Sequence, residues 1–320
     1  MPYKTKLREV QENEADVKIE DFADRLNLQI LSRCKSGTMH VATFNISRPG
    51  LQLAGYYEHF SPERVQVIGE QETAYLMQRT SQERKQICDK LCSYDFPCLV
   101  ITSVIEPIPE LMESAKKYDR NVFRSSLRTT AFMNEIGIYL NELLAPTTTI
   151  HAGLVDLYGV GVLIVGSTAI GKSETALELI QRGHRLVADD AVTLKRISDR
   201  LVGTSPENIK HFMEVRGIGL INVAVMYGVG AGRTRKEVDL VVKLEDWDVK
   251  KQYDRLGDEE NYYTILDTDL PMYTVPVKPG RNLAVILEVV ARNYRLKGMG
   301  YNALAELEER IKPNGTSEDN

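Results

Sequence analysis

Several things are scarce in this chain, and each absence excludes something. There are four cysteines, Cys34, Cys88, Cys92 and Cys98, and none beyond the first third of the sequence. Cys88 and Cys92 stand at i,i+4, which leaves a zinc or redox role to weigh. The paired C-x-x-C spacing is missing, and reduced thiols in a core or on a helix face are the better reading, as in a reducing compartment. Positive charge is not in excess: 40 Lys and Arg stand against 45 Asp and Glu, a net charge of -5. No nucleic-acid partner is advertised, so a protein or small-molecule substrate is expected. No run of about eighteen apolar residues occurs, and Met1-Pro2-Tyr3-Lys4-Thr5-Lys6 leads into charged sequence. The expectation is a soluble, cytoplasmic protein with no membrane segment. Internal repeats and low-complexity tracts are lacking too.

What is present is length enough for two domains, 320 residues. Residues 15 to 125 read as an alternating α/β unit, with strands expected at Val65-Ile68 and Leu99-Val104 and a charged helix from Gln82 to Cys92. A long helical pattern from Ser125 to Leu144 joins the halves. The expected division is 1–130 and 131–320, a small N-terminal α/β domain followed by a larger α/β domain. A strong amphipathic helix is expected from Asn282 to Lys297.

The second half holds the most specific signal. Gly166-Ser167-Thr168-Ala169-Ile170-Gly171-Lys172-Ser173 fits the phosphate-binding loop G-x-x-x-x-G-K-S. The apolar run Gly161-Val162-Leu163-Ile164-Val165 precedes it, with the β-branched character of a buried strand of a parallel sheet. From Lys172 to Arg182 the apolar positions recur at helical spacing, and Gly183 offers a stop. Strand, loop and helix in this order aim backbone N–H groups at a phosphate, bring Lys172 to the β/γ oxygens and let Ser173 ligate Mg²⁺.

Arg185-Leu186-Val187-Ala188-Asp189-Asp190 reads as a neighbouring strand ending in two carboxylates, one fit to hold Mg²⁺ and one to take a proton. His151, in the strand or turn entering the same sheet, reads by itself as a core or surface histidine. Met213-Glu214-Val215-Arg216-Gly217-Ile218-Gly219-Leu220-Ile221-Asn222 interrupts an apolar run with a carboxylate, a guanidinium and glycines. Either it is a bulged strand with a surface ion pair, or it brings Glu214 to a metal and Arg216 to a phosphate. Arg255 lies in the turn Tyr253-Asp254-Arg255-Leu256-Gly257. Pro276-Val277-Lys278-Pro279-Gly280-Arg281 is a stiff basic loop, either a solvated turn or a phosphate clamp.

Together these segments resemble the HPr kinase/phosphorylase family, which phosphorylates a serine of the phosphocarrier HPr and removes it again. The resemblance extends to Arg182-Gly183-His184 before the Asp pair, to Glu174 after Ser173, and to Ile46-Ser47-Arg48-Pro49-Gly50-Leu51-Gln52-Leu53-Ala54-Gly55-Tyr56 in the first domain. It implies catalytic roles for His151, Lys172, Asp190 and Arg255, Mg²⁺ ligation by Ser173 and Glu214, and ATP contact along Gly166 to Ser173. Met213 to Asn222 would serve both reactions and Pro276 to Arg281 chiefly phosphate removal. It further implies a phosphoenolpyruvate-carboxykinase-like C-terminal P-loop domain, a homohexamer, HPr as partner, and phosphorolysis by inorganic phosphate giving pyrophosphate. Asp190 would act as base in one direction and acid in the other, its proton affinity raised by Asp189.

The chain departs from the family pattern at Thr168-Ala169, where Ser-Gly is usual, and at Ala152 after His151. The rival enzyme is a small-metabolite kinase on the same loop. A GTPase-type switch is the non-enzymatic rival, against which the missing N-K-x-D motif counts.

Overall fold

The computed structural model describes residues 5–6, 14–251, 253 and 261–311. The chain divides into two compact units, residues 11–145 and residues 1–10 with 146–320. The division therefore falls later than the 130 expected. The helix Thr129–Leu143 buries Phe132, Ile136 and Leu140 in the core of the N-terminal unit, so its apolar face binds it to that unit.

The N-terminal unit carries a five-stranded sheet in the order Gln29–Ser32, Val122–Arg124, Leu99–Ile101, Val65–Ile68, Ile46–Ser47, parallel except for the first pair. Alternation decides its two faces. Val65, Val67 and Val100 join one core with Phe22 and Phe132, whereas Ile68, Leu99 and Ile101 join another with Leu76 and Leu91. Cys88 and Cys92 belong to the latter core, where burial pushes both thiols up to about 12. They are protonated there and inert toward metal at neutral pH.

In the C-terminal unit the phosphate-loop strand, Val160–Val165, is buried along its whole length. Val162 and Ile164 face a core shared with the helix Lys172–Gln181 and the helix Leu283–Gly298; Leu163 and Val165 face a core shared with a four-stranded sheet. The central sheet has seven strands and is mixed rather than parallel. The loop strand runs parallel to Leu240–Asp246, which runs parallel to Thr268–Val277. On its other side lies Gly153–Leu157, antiparallel, and beyond that Arg185–Ala188. The Asp-ended strand is thus one place further from the loop strand than the sequence reading had it.

Candidate active site

At the carboxyl end of Val160–Val165 the chain turns into the loop at a glycine that has no room for a side chain. A Cβ on Gly166 would stand 2.7 Å from the Leu244 carbonyl oxygen, and Gly171 enters the helix at φ 101°. The first-turn N–H groups of the helix that follows are free of intrahelical partners and face the loop with the positive end of the helix dipole. Lys172 is 7% exposed, and its ammonium donates to the Gly166 carbonyl at 3.1 Å and the Ser167 carbonyl at 3.0 Å. Burial lowers its proton affinity. An anion over the loop offers this ammonium a better partner than two neutral carbonyls.

Two crossings between sheets place the other groups. Thr147–His151 lies in the four-stranded sheet and Gly153–Leu157 in the seven-stranded one, so His151 does not enter the loop's sheet as expected but ends a strand of the sheet below it. The chain crosses back at Asp189-Asp190, between Arg185–Ala188 and Ala191–Ile197. Asp190 makes that turn at φ 66°, a conformation that aspartate tolerates better than most residues. Because Ala191 pairs with His151 in the ladder, and Ala152 donates its N–H to the Asp190 carbonyl at 3.2 Å, the two crossings lie side by side. His151 Nδ1 and Asp190 Oδ1 are 2.8 Å apart.

The two carboxylates have different surroundings. Asp190 is exposed, whereas Asp189 is only 4% exposed and accepts from Ser173 Oγ at 3.1 Å. Burial raises the Asp189 pKa to about 6, against the Ser173 hydrogen bond and with help from the Asp190 charge. The carboxyl held high is Asp189, through desolvation first. Asp189 Oδ2 is buried without a hydrogen-bond partner among the described residues.

Glu214 and Arg216 reach the same cavity because of strand alternation. In the hairpin of Phe212–Val215 and Gly219–Asn222, Met213 and Val215 point into the core, and Glu214 and Arg216 line the cavity with Lys172, Ser173 and both aspartates. Met213 and Val215 go inward, and Glu214 and Arg216 turn to the loop. The cavity measures about 140 Å³. A larger concavity of about 540 Å³ in the N-terminal unit, lined by Ser81, Lys85, Glu110 and Glu113, holds no phosphate loop.

The residues suit Mg²⁺. Ser173 and carboxylates are hard oxygen donors, and the orphaned Asp189 Oδ2 beside Ser173 is an acceptor in need of a cation. No cluster of three His, Cys, Asp or Glu side chains that would cage a metal occurs among the described residues. Mg²⁺ at phosphate sites takes few protein ligands, the phosphates and water supplying the rest.

The basic loop before the last long helix is not brought to the cavity. Lys278 and Arg281 do not line it: the Lys278 ammonium lies 5.4 Å from the Trp247 ring centroid, and Arg281 Nη1 donates to the Pro276 carbonyl at 3.0 Å. Arg255 lies outside the described residues. Asp189 as partner of Ser173 was the residue that sequence reasoning placed least well, since both aspartates follow one strand and only burial separates them.

Ala169 occupies a left-handed position, φ 71°. An L side chain there costs roughly 1–2 kcal/mol, offset by about 0.5–1 kcal/mol of the entropy glycine would lose. Ala169→Gly is expected to tighten ATP binding about two- to fivefold, measured by calorimetry; unchanged affinity would mean that the loop conformation is not limiting.

A buried lysine and a serine on a loop–helix turn, facing paired aspartates, define a phosphate-loop phosphotransferase. The chain belongs to the HPr serine kinase family: the model of the HPr serine kinase N terminus matches residues 17–140 and that of the C-terminal domain residues 142–311. It is similar to the HPr kinase/phosphorylase of Caldanaerobacter subterraneus subsp. tengcongensis, 48% identical over 296 residues, 92% of this chain and 97% of that one. The HPr kinase/phosphorylase of Geobacillus kaustophilus is 46% identical, over 92% of this chain and 95% of that one. A solved Hpr(Ser) kinase/phosphatase from Coxiella burnetii aligns with 51% of this chain and 99% of its own, at 36% identity and TM-score 0.46.

Proposed function

We propose that this protein transfers the γ-phosphoryl group of ATP to a serine of HPr and removes it by phosphorolysis, with inorganic phosphate as acceptor and pyrophosphate as product. The observation that carries the reading is the convergence of Lys172, Ser173, Asp189, Asp190 and His151 on one cavity in a chain that matches both domains of the HPr serine kinase family.

Each residue then has a task. Lys172 leaves the loop carbonyls for the phosphate oxygens. Asp190, exposed and oriented by His151, takes the proton of the attacking serine and in the reverse direction returns one to the leaving serine oxygen. Ser173, Glu214 and Asp189 would hold Mg²⁺, which, when bound, neutralises charge on the transferring group. Arg216 faces the same charge from the hairpin, and Arg255 completes the catalytic set. The homohexamer rests on the family resemblance; the exposed apolar side chains Ile218, Leu220, Val225, Met226 and Val229 support an interface between copies but not its stoichiometry.

The test is direct. Incubation with HPr, ATP and Mg²⁺ is expected to add a single phosphate to HPr, read by intact-protein mass, and added phosphate to reverse it with release of pyrophosphate. An unmodified HPr beside ATP consumed on a small metabolite would replace this reading with that of a metabolite kinase. Within the reading, Arg281→Ala is expected to depress phosphorolysis by a larger factor than the kinase rate, because inorganic phosphate has no nucleoside to anchor it. Equal losses would assign Arg281 to closing its own loop through Pro276.

A further inference from the structure

The cavity at the phosphate loop, about 140 Å³, is well below the roughly 300 Å³ at which clefts for whole small molecules begin. It takes phosphates, and the nucleoside must lie outside it. Open α/β sheets bind ligands beyond the carboxyl ends of their strands. Here three parallel neighbours end at the same edge: the loop strand, Leu240–Asp246 and Thr268–Val277. The middle one is followed by Trp247, the single tryptophan of the chain.

Register fixes where Trp247 stands. Val165, the last residue before the loop, is level with Lys243. Trp247 lies four residues on, about 13 Å further along the adjacent strand at the usual strand rise. Its backbone N–H donates to the Val277 carbonyl at 3.1 Å, directly before Lys278. The residue is 44% exposed, unusual for so large an apolar side chain, and its ring stacks on Tyr253 with centroids 5.1 Å apart and planes 24° from parallel. The Lys278 and Lys251 ammonium groups lie 5.4 and 5.5 Å from the Trp247 and Tyr253 ring centroids. A flat aromatic surface flanked by cations, one strand over from a phosphate loop, matches a ligand with a flat ring at one end and phosphates at the other.

Resting on the proposed ATP-dependent reading, we infer that Trp247, braced by Tyr253, is the platform on which the nucleotide base stacks, the base taking the place of the Lys278 ammonium that lies over the ring. The indole supplies the affinity that distinguishes a nucleotide from bare polyphosphate, and Lys172 and the loop supply the part common to both.

The experiment compares two probes on the full chain by titration calorimetry with Mg²⁺ present: ATP, and pyrophosphate, which has no base. Trp247→Ala is expected to weaken ATP by about tenfold or more, the usual scale of base–aromatic stacking, while pyrophosphate affinity moves less than twofold. Trp247→Phe should recover most of the loss. Melting curves confirm that both variants fold. Equal weakening of both probes, or none of either, would overturn the platform and leave the phosphotransferase reading standing. Wild-type protein that binds pyrophosphate but not ATP would overturn both readings together.

Discussion

Lys172→Ala is expected to lower phosphorylation of HPr by at least about a hundredfold, with the melting temperature nearly unchanged. The lysine is buried, yet among the described residues its ammonium donates to two carbonyls of its own loop. Those carbonyls regain solvent when the ammonium goes, so the fold loses little. The transition state of the proposed reaction loses far more, since the buried cation would face the charge that develops on the transferring group. Initial rates at saturating ATP, on a variant shown to be folded by circular dichroism, decide the matter. A near-normal rate would remove the loop from the chemistry.

The second large effect divides the two aspartates. Asp190→Asn is expected to lower kinase and phosphorolysis together, by about a hundredfold or more, because in the proposed reaction one carboxyl is base in one direction and acid in the other. Asp189→Asn should be milder in chemistry and distinct in stability. The folded-state pKa of Asp189 is raised from 3.8 to about 6 by burial. A raised carboxyl favours the folded state fully below its unfolded value near 4, and that contribution is lost as pH rises through about 6. In metal-free buffer Asp189→Asn is therefore expected to stabilise the protein at pH 8, by up to roughly 3 kcal/mol, and by progressively less toward pH 4. Denaturant melts at several pH values measure this. A constant difference across pH would show that Asp189 does not titrate near 6, and an inactive Asp189→Asn beside an active Asp190→Asn would invert the two roles.

The site's chemistry was legible because a phosphate loop is a local object. Strand, glycine turn, Lys172, Ser173 and helix are contiguous, and each is specified by its own residues: β-branched apolar residues from Val160 to Val165, glycine at Gly166 where a carbonyl stands too close for a Cβ, helical spacing from Lys172 onward. The helix Leu283–Gly298 was legible on the same ground, with Asn282 capping it by accepting the Val285 N–H at 2.9 Å. The boundary near 130 was not. The helix Thr129–Leu143 is apolar on one face whichever unit it serves, and only the partner of that face assigns it.

From the sequence by itself came the class of chemistry, the phosphate loop and the family resemblance, because these rest on residues adjacent in the chain whose side-chain types are the signal. Tertiary structure alone decided which aspartate is which, that His151 reaches Asp190 from a second sheet, that Glu214 and Arg216 turn toward the loop, and that Trp247 stands one strand over from it. The physical reason is common to all four. Burial, crossing between sheets and strand register depend on which distant segments pack together, and two adjacent carboxylates are chemically identical until one is taken out of water.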